Sequence, residues 1–276
     1  MRTISIKNQI VVLAALILFS GVVQGHNFSY SGSLQYSTGD YIFTDRTHSL
    51  YLYNGIDYAA NGLTVSASIP VILQNSSWLT NSAVGMIPSG GDQSSAIKQA
   101  IKHGKITLPD TSDYSSIGIG DPMIYLFYEI QKQSGTLPSI SITAGAKIPI
   151  ATANSGFGTG EWDYGIGGSL ARSIEYWMFI VDASYWVLGD PPDFELQDTF
   201  LYSFSAGRYF PQHRFGMIGT ISGTSVTNSD FDPGLSLGVG VNYSISNDRT
   251  LSGTINLGLT ETSPDIAISL GWRFGL

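Results

Sequence analysis

The sequence predicts an all-β protein, a transmembrane antiparallel β-barrel of about 12 strands, and three observations carry that reading. First, Asp265 to Phe274 alternates strictly: Ile266, Ile268, Leu270, Trp272 and Phe274 share one face, and Ala267, Ser269, Gly271 and Arg273 the other. Successive side chains of a strand point to opposite faces, so this segment offers one face to lipid and one to water. Second, the same period of two returns at roughly even spacing along the chain. Third, only 12% of the residues are charged, with 32 glycines and 15 tyrosines, whereas a soluble domain is roughly a quarter charged. A lipid-facing exterior accounts for the deficit. Glycine suits the lumen, and tyrosine and tryptophan suit the two interfaces.

Residues 1–25 read as a signal peptide, with a positive start (Arg2, Lys7), an apolar stretch from Ile10 to Phe19, and small residues near the end (Gly21, Val23, Gly25). The apolar stretch is about half the roughly 20 residues a spanning helix needs. This leaves 26–276 as the barrel. No later stretch is long and apolar enough for a helical span, so the membrane must be crossed by strands. Cysteine is absent, which excludes both a disulfide framework and a cysteine-linked lipid anchor.

Twelve strands are predicted, near 28–37, 47–58, 62–73, 118–131, 138–149, 161–171, 176–187, 198–208, 214–224, 234–244, 250–259 and 265–274. The fifth places Ile140, Ile142, Ala144, Ala146 and Ile148 outward. The tenth places Leu235, Leu237, Val239, Val241 and Tyr243 outward, and the eleventh Leu251, Ile255, Leu257 and Leu259. The second, fourth and eighth alternate less cleanly. Connections alternate between short links, expected on the periplasmic side, and generally longer ones, expected outside. Acidic residues gather in or beside the longer links. Losing Arg2 and Lys7 with the leader takes the formal charge from -8 to -10, which disfavours nucleic acid as a partner. In the longest link, between the third and fourth strands, Ser94 or Ser95 to Gly104 reads as one helix, either folded into the lumen or lying over the external mouth.

Several residue groups are candidates for function. Lys147, Asp182 and Arg273 are expected to face the lumen, where a charge sets which solutes enter; Lys147 and Asp182 could equally pair with each other or with neighbours and brace the wall. Asp190, Asp193, Glu195, Asp198, Asp230 and Asp232 form a candidate acidic external rim. It is read first as solvated loop, with calcium or lipopolysaccharide phosphates bridged by divalent ions as alternatives; EF-hand spacing is absent. The Gly156-x-Gly158-x-Gly160 run is followed by a strand, not by the helix a nucleotide site requires. His48 with Asp45 is the pair worth testing for hydrolysis, against the simpler reading of a polar rim. No catalytic residue, metal or cofactor is assigned.

The middle of the chain carries a resemblance. Lys147-Ile148-Pro149, then Gly156-Phe157-Gly158-Thr159-Gly160-Glu161-Trp162-Asp163-Tyr164, then Tyr185-Trp186-Val187-Leu188-Gly189-Asp190-Pro191-Pro192 stand in order. With Tyr36-Ser37-Thr38-Gly39-Asp40 and His48-Ser49-Leu50-Tyr51-Leu52, they resemble the Gram-negative outer-membrane transporter family named for the meta-pathway of phenol degradation. Ile150, where a threonine often stands, and the two residues after Phe274 depart from the pattern. The resemblance implies a twelve-stranded or similar barrel in the outer membrane, with passive transport of small, aromatic or hydrophobic solutes. Its expected partners are outer-membrane lipid, lipopolysaccharide and a small-molecule solute. A non-conducting surface barrel with partner-binding loops is the alternative, and a barrel hydrolase the least favoured. At a strand spacing of about 4.8 Å and a tilt near 40°, twelve strands close at a diameter of roughly 24 Å, so inward side chains decide whether a passage remains. Met123, Tyr125, Phe127 and Trp186 would obstruct it if they point inward.

Overall fold

The computed structural model describes residues 27–41, 46–76, 79–88, 116–152, 155–191, 195–228 and 232–276. Its strands are β1 (Phe28–Gly39), β2 (Thr47–Ala60), β3 (Leu63–Gln74), β4 (Leu79–Ser82), β5 (Gly85–Pro88), β6 (Ser116–Ile119), β7 (Met123–Gln131) and β8 (Ser139–Lys147). They continue as β9 (Asp163–Ile174), β10 (Trp177–Val187), β11 (Thr199–Phe210), β12 (Phe215–Thr224), β13 (Leu235–Ser244), β14 (Arg249–Gly258) and β15 (Ile266–Gly275). All but β4 and β5 join one antiparallel sheet, and β15 returns to β1 to close it. β6 and β7 lie end to end on β3, against Val71–Gln74 and Leu63–Ser68 respectively, so the wall counts twelve staves. The expected barrel is therefore present. The expected signal peptide and the expected helix at 94–104 lie outside the described residues.

Inside-outside alternation builds the wall. Along β11, Thr199, Leu201, Ser203 and Ser205 are buried inside, while Phe200, Tyr202 and Phe204 are exposed outside. A folded chain that leaves this many large apolar side chains uncovered needs an apolar solvent, which the hydrocarbon of a bilayer supplies. Inner hydroxyls satisfy one another across strands: Ser205 with Thr220 at 2.8 Å, Ser222 with Ser236 at 3.2 Å, and Thr254 with Ser269 at 2.6 Å. Aromatic side chains gather at both rims. Phe28 packs on Tyr58 at 4.9 Å and Arg208 lies over Trp177 at the end carrying the described termini, and Trp162 stacks on Tyr164 at the other.

Short links occupy the end of the termini. Asn61 and Gly62 both take left-handed backbone, φ 51° and 82°, the type I′ turn whose twist matches a two-residue hairpin. The expected fourth strand is broken into β6 and β7 at Gly120-Asp121-Pro122. Pro122 has no N–H to give to the ladder, and Pro70 faces this stretch from β3, so pairing cannot run through. The break turns Asp121 inward.

Hairpin β4–β5, from the first part of the long link, does not lie in the wall. It is packed inside the barrel, with Leu79 and Val84 fully buried and Met86 and Ile87 nearly so. On one side it meets Tyr51, Ile72 and Phe157. On the other it meets Tyr125, Trp186, Leu188 and Leu201.

Candidate functional site, the plugged lumen

Lys147 ends β8 opposite Asp163, the first residue of β9, because register places the two directly across from each other. Its ammonium donates to Asp121 Oδ2 at 3.1 Å and to Thr159 Oγ1, and stands 3.4 Å from Asp163 Oδ2. All three charged side chains are at most 2% exposed. Each carboxylate also accepts backbone N–H groups. Asp121 Oδ1 takes those of Ile150 at 2.9 Å and Ala151 at 2.8 Å. Asp163 takes Gly189 N–H on Oδ1 at 3.0 Å and Ala83 N–H on Oδ2 at 2.7 Å. Ala83 is the turn of the inner hairpin, so this ion cluster ties the hairpin to the wall.

The glycine run wraps the same cluster. A Cβ on Gly158 would sit 2.3 Å from Asp121 Oδ2, which leaves room for no residue but glycine. Gly156, at φ 71°, turns its carbonyl to accept from Asn81 Nδ2 at 3.0 Å, a second tie to the hairpin. These glycines close a turn around a hairpin and an ion cluster, where a nucleotide site would need a helix start.

Met123, Tyr125, Phe127 and Trp186 all point inward. Trp186 lies across Gly145 and Gly165, where a Cβ would come within 2.5 and 2.3 Å of the indole. Below the hairpin a cavity of about 190 Å³ remains, bordered by Asn81, Ser82 and Ala83 above and reaching Asp57 and Arg273 near the end of the termini. Tyr53, Ile72, Met123, Tyr125 and Phe127 form its apolar side; Ser31, Ser33, Asn242, Ser252, Thr254 and Ser269 form its polar side. A smaller space of about 60 Å³ lies beside Trp186 and Asp182.

The sequence-derived candidates separate accordingly. Lys147 and Arg273 border the large cavity and Asp182 the small one. Asp182 accepts from Ser203 Oγ at 3.0 Å, and the partners of Lys147 are Asp121 and Asp163, not Asp182. Arg273 Nε donates to Ser29 Oγ at 2.9 Å and stands 3.5 Å from Asp57 Oδ2. In the acidic group, Asp190 accepts the Leu196 N–H at 2.7 Å and Asp198 the Tyr185 hydroxyl at 3.0 Å, so both brace their loop. Glu195 and Asp232 are exposed, and Asp193 and Asp230 lie outside the described residues. No cluster of three metal-ligating side chains occurs among the described residues. His48 points outward and bonds Tyr36 Oη at 2.7 Å, on the opposite face from Ser49; Asp45 lies outside the described residues. In the link after β1, burial holds the phenol of Tyr41 well above its ordinary range.

Asp121, Asp163 and the inner hairpin were missed as a site in the sequence. The signal for Asp163 was its inward phase at the start of the strand that follows Lys147; Asp121 carried none, because the break between β6 and β7 is what turns it inward.

Residues 89–274 match the family named for the MetA-pathway of phenol degradation. The chain belongs to this family. Among curated proteins no match is found. Among solved structures, the COG4313 outer membrane channel from Pseudomonas putida F1 is similar at 12% identity and a TM-score of 0.63, over 92% of this chain and 98% of that one. The translocator domain of the autotransporter NalP from Neisseria meningitidis is similar at 9% identity and a TM-score of 0.55, over 97% and 95%. The family member described here shares with these two the closed antiparallel β-barrel fold.

Proposed function

We propose that this protein is a passive outer-membrane channel for small hydrophobic and aromatic solutes, with the short links on the periplasmic side and the inner hairpin toward the outside. The observation that carries it is the cavity of about 190 Å³ left in the lumen between the hairpin and the Asp57–Arg273 pair. A barrel serving only as a surface scaffold would gain from filling that space, because close packing stabilises an interior. The neighbour from Pseudomonas putida is described as an outer membrane channel, and the family takes its name from the breakdown of an aromatic compound; both support the reading.

The buried hairpin favours the second reading, a non-conducting surface barrel whose loops bind a partner. One experiment separates them. The refolded protein is placed in a planar bilayer beside a variant lacking residues 79–88. Stepwise conductance in the parent, or its appearance when the hairpin is removed, is the expected result. Silence from both rejects the channel.

A further inference from the structure

We propose that the lumen cavity selects an uncharged, single-ring solute that carries a hydrogen-bonding group on one edge; this rests on the channel reading and narrows its solute. Size sets the first limit. A protein cavity of about 150 Å³ holds benzene, so about 190 Å³ takes one substituted ring and little more.

The walls set the second. β7 and β13 stand six places apart in the ring of twelve staves, on opposite sides of the lumen. β7 contributes Met123, Tyr125 and Phe127, joined by Tyr53 and Ile72, a surface for the face of a ring. The far side, from β13 through β15 to β1, presents hydroxyls and the amide of Asn242. Asn242 is 2% exposed, and among the described residues neither its Oδ1 nor its Nδ2 has a partner; Tyr125 Oη, on a residue 8% exposed, has none there either. A solute with a donor or acceptor on its edge satisfies such groups. A bare hydrocarbon leaves them unsatisfied, and sites built to hydrogen-bond a ligand reject the analogue lacking that group.

Charge sets the third. Among the described residues, every charged side chain bordering the cavity already has an opposite partner: Asp57 with Arg273 at 3.5 Å, Asp121 with Lys147 at 3.1 Å. An entering ion would shed water and meet, among these residues, only charges that are already paired.

The test is calorimetric titration of the detergent-purified barrel, with empty micelles as reference. The four probes are single para-substituted rings of similar size: p-hydroxybenzyl alcohol, p-hydroxybenzoate, protonated p-hydroxybenzylamine and p-xylene. The alcohol is expected to bind at least ten times more tightly than either ion or the hydrocarbon. Asn242→Leu combined with Tyr125→Phe is expected to remove that advantage over p-xylene; Tyr125→Phe alone, expected to reduce it, serves if the double variant does not refold. Either ion or p-xylene binding within threefold of the alcohol overturns the proposal, as does no binding by any probe. The bilayer experiment fails separately: a silent barrel that keeps this preference loses only the channel reading, and a conducting one without it loses only this inference.

Discussion

Replacing Lys147 by methionine removes the cation that stands between Asp121 and Asp163 while keeping most of the side-chain volume. Removing one partner of a buried ion pair typically costs about 3–5 kcal/mol, because the remaining charge stays buried without compensation. Here each carboxylate retains two backbone N–H donors, at 2.7 to 3.0 Å, so the lower end, about 3 kcal/mol, is expected. That corresponds to roughly a hundredfold change in the folding equilibrium. The assay is guanidinium unfolding of the barrel in phospholipid vesicles, followed by tryptophan emission. Arg273→Met is the control, since its pair is looser at 3.5 Å and the guanidinium is 18% exposed; a smaller loss, about 1 kcal/mol, is expected there. A loss under about 1 kcal/mol for Lys147→Met, or one no larger than the control, would refute the reasoning that the inner cluster is dry and interdependent.

Other outcomes follow from packing and placement. Gly165→Val should cost about 1–3 kcal/mol and shift Trp186 emission, because a Cβ there would fall 2.3 Å from the indole. Gly219→Ala, whose Cβ meets nothing nearer than 3.9 Å, should change stability by less than about 0.5 kcal/mol; equal effects in the two denaturation curves would contradict this packing. Ile255→Arg, mid-strand on β14, should destabilise the barrel in vesicles by about 2–4 kcal/mol, and Ile174→Arg, at the rim end of β9, by about 0–1 kcal/mol. The two positions are nearly equally exposed, 53% and 50%. A depth-independent result would argue that lipid does not cover the outer face.

The wall was legible in the sequence because one rule governs all of it: lipid outside, small or polar groups inside, period two. The rule works best where both conditions hold, as on β13 and β15, and loses its grip at Gly120-Asp121-Pro122, where the expected fourth strand splits. The inner hairpin escaped it altogether. Leu79–Ser82 and Gly85–Pro88 are too short for a periodic signal, and β4 is buried on both faces, so no alternation is written into it. The partners of Lys147 escaped for a different reason. Alternation says which residues point inward but not how far one strand has slid along the next, and it is register that sets Lys147 opposite Asp163.

The residues that carry the family resemblance gain a physical meaning from this arrangement. Lys147, Gly158, Thr159, Asp163 and Gly189 are spread over three separate stretches of the chain's middle, yet each belongs to or touches the ion cluster: Lys147 as its cation, Asp163 as a carboxylate, Thr159 and Gly189 as hydrogen-bond partners, and Gly158 by leaving space for Asp121. Asp163 in turn holds Ala83, the turn of the plug. The motif therefore specifies how an inner hairpin is fastened, whereas the cavity below, bordered by Lys147 and Phe157 from the motif, takes most of its lining from residues outside it, among them Asn242, Ser252 and Met123. Apart from the Asp121–Lys147 pair, fastening and selection sit on different side chains, so exchanging Asn242, Ser252 or Met123 should alter which solute is taken while the plug stays in place.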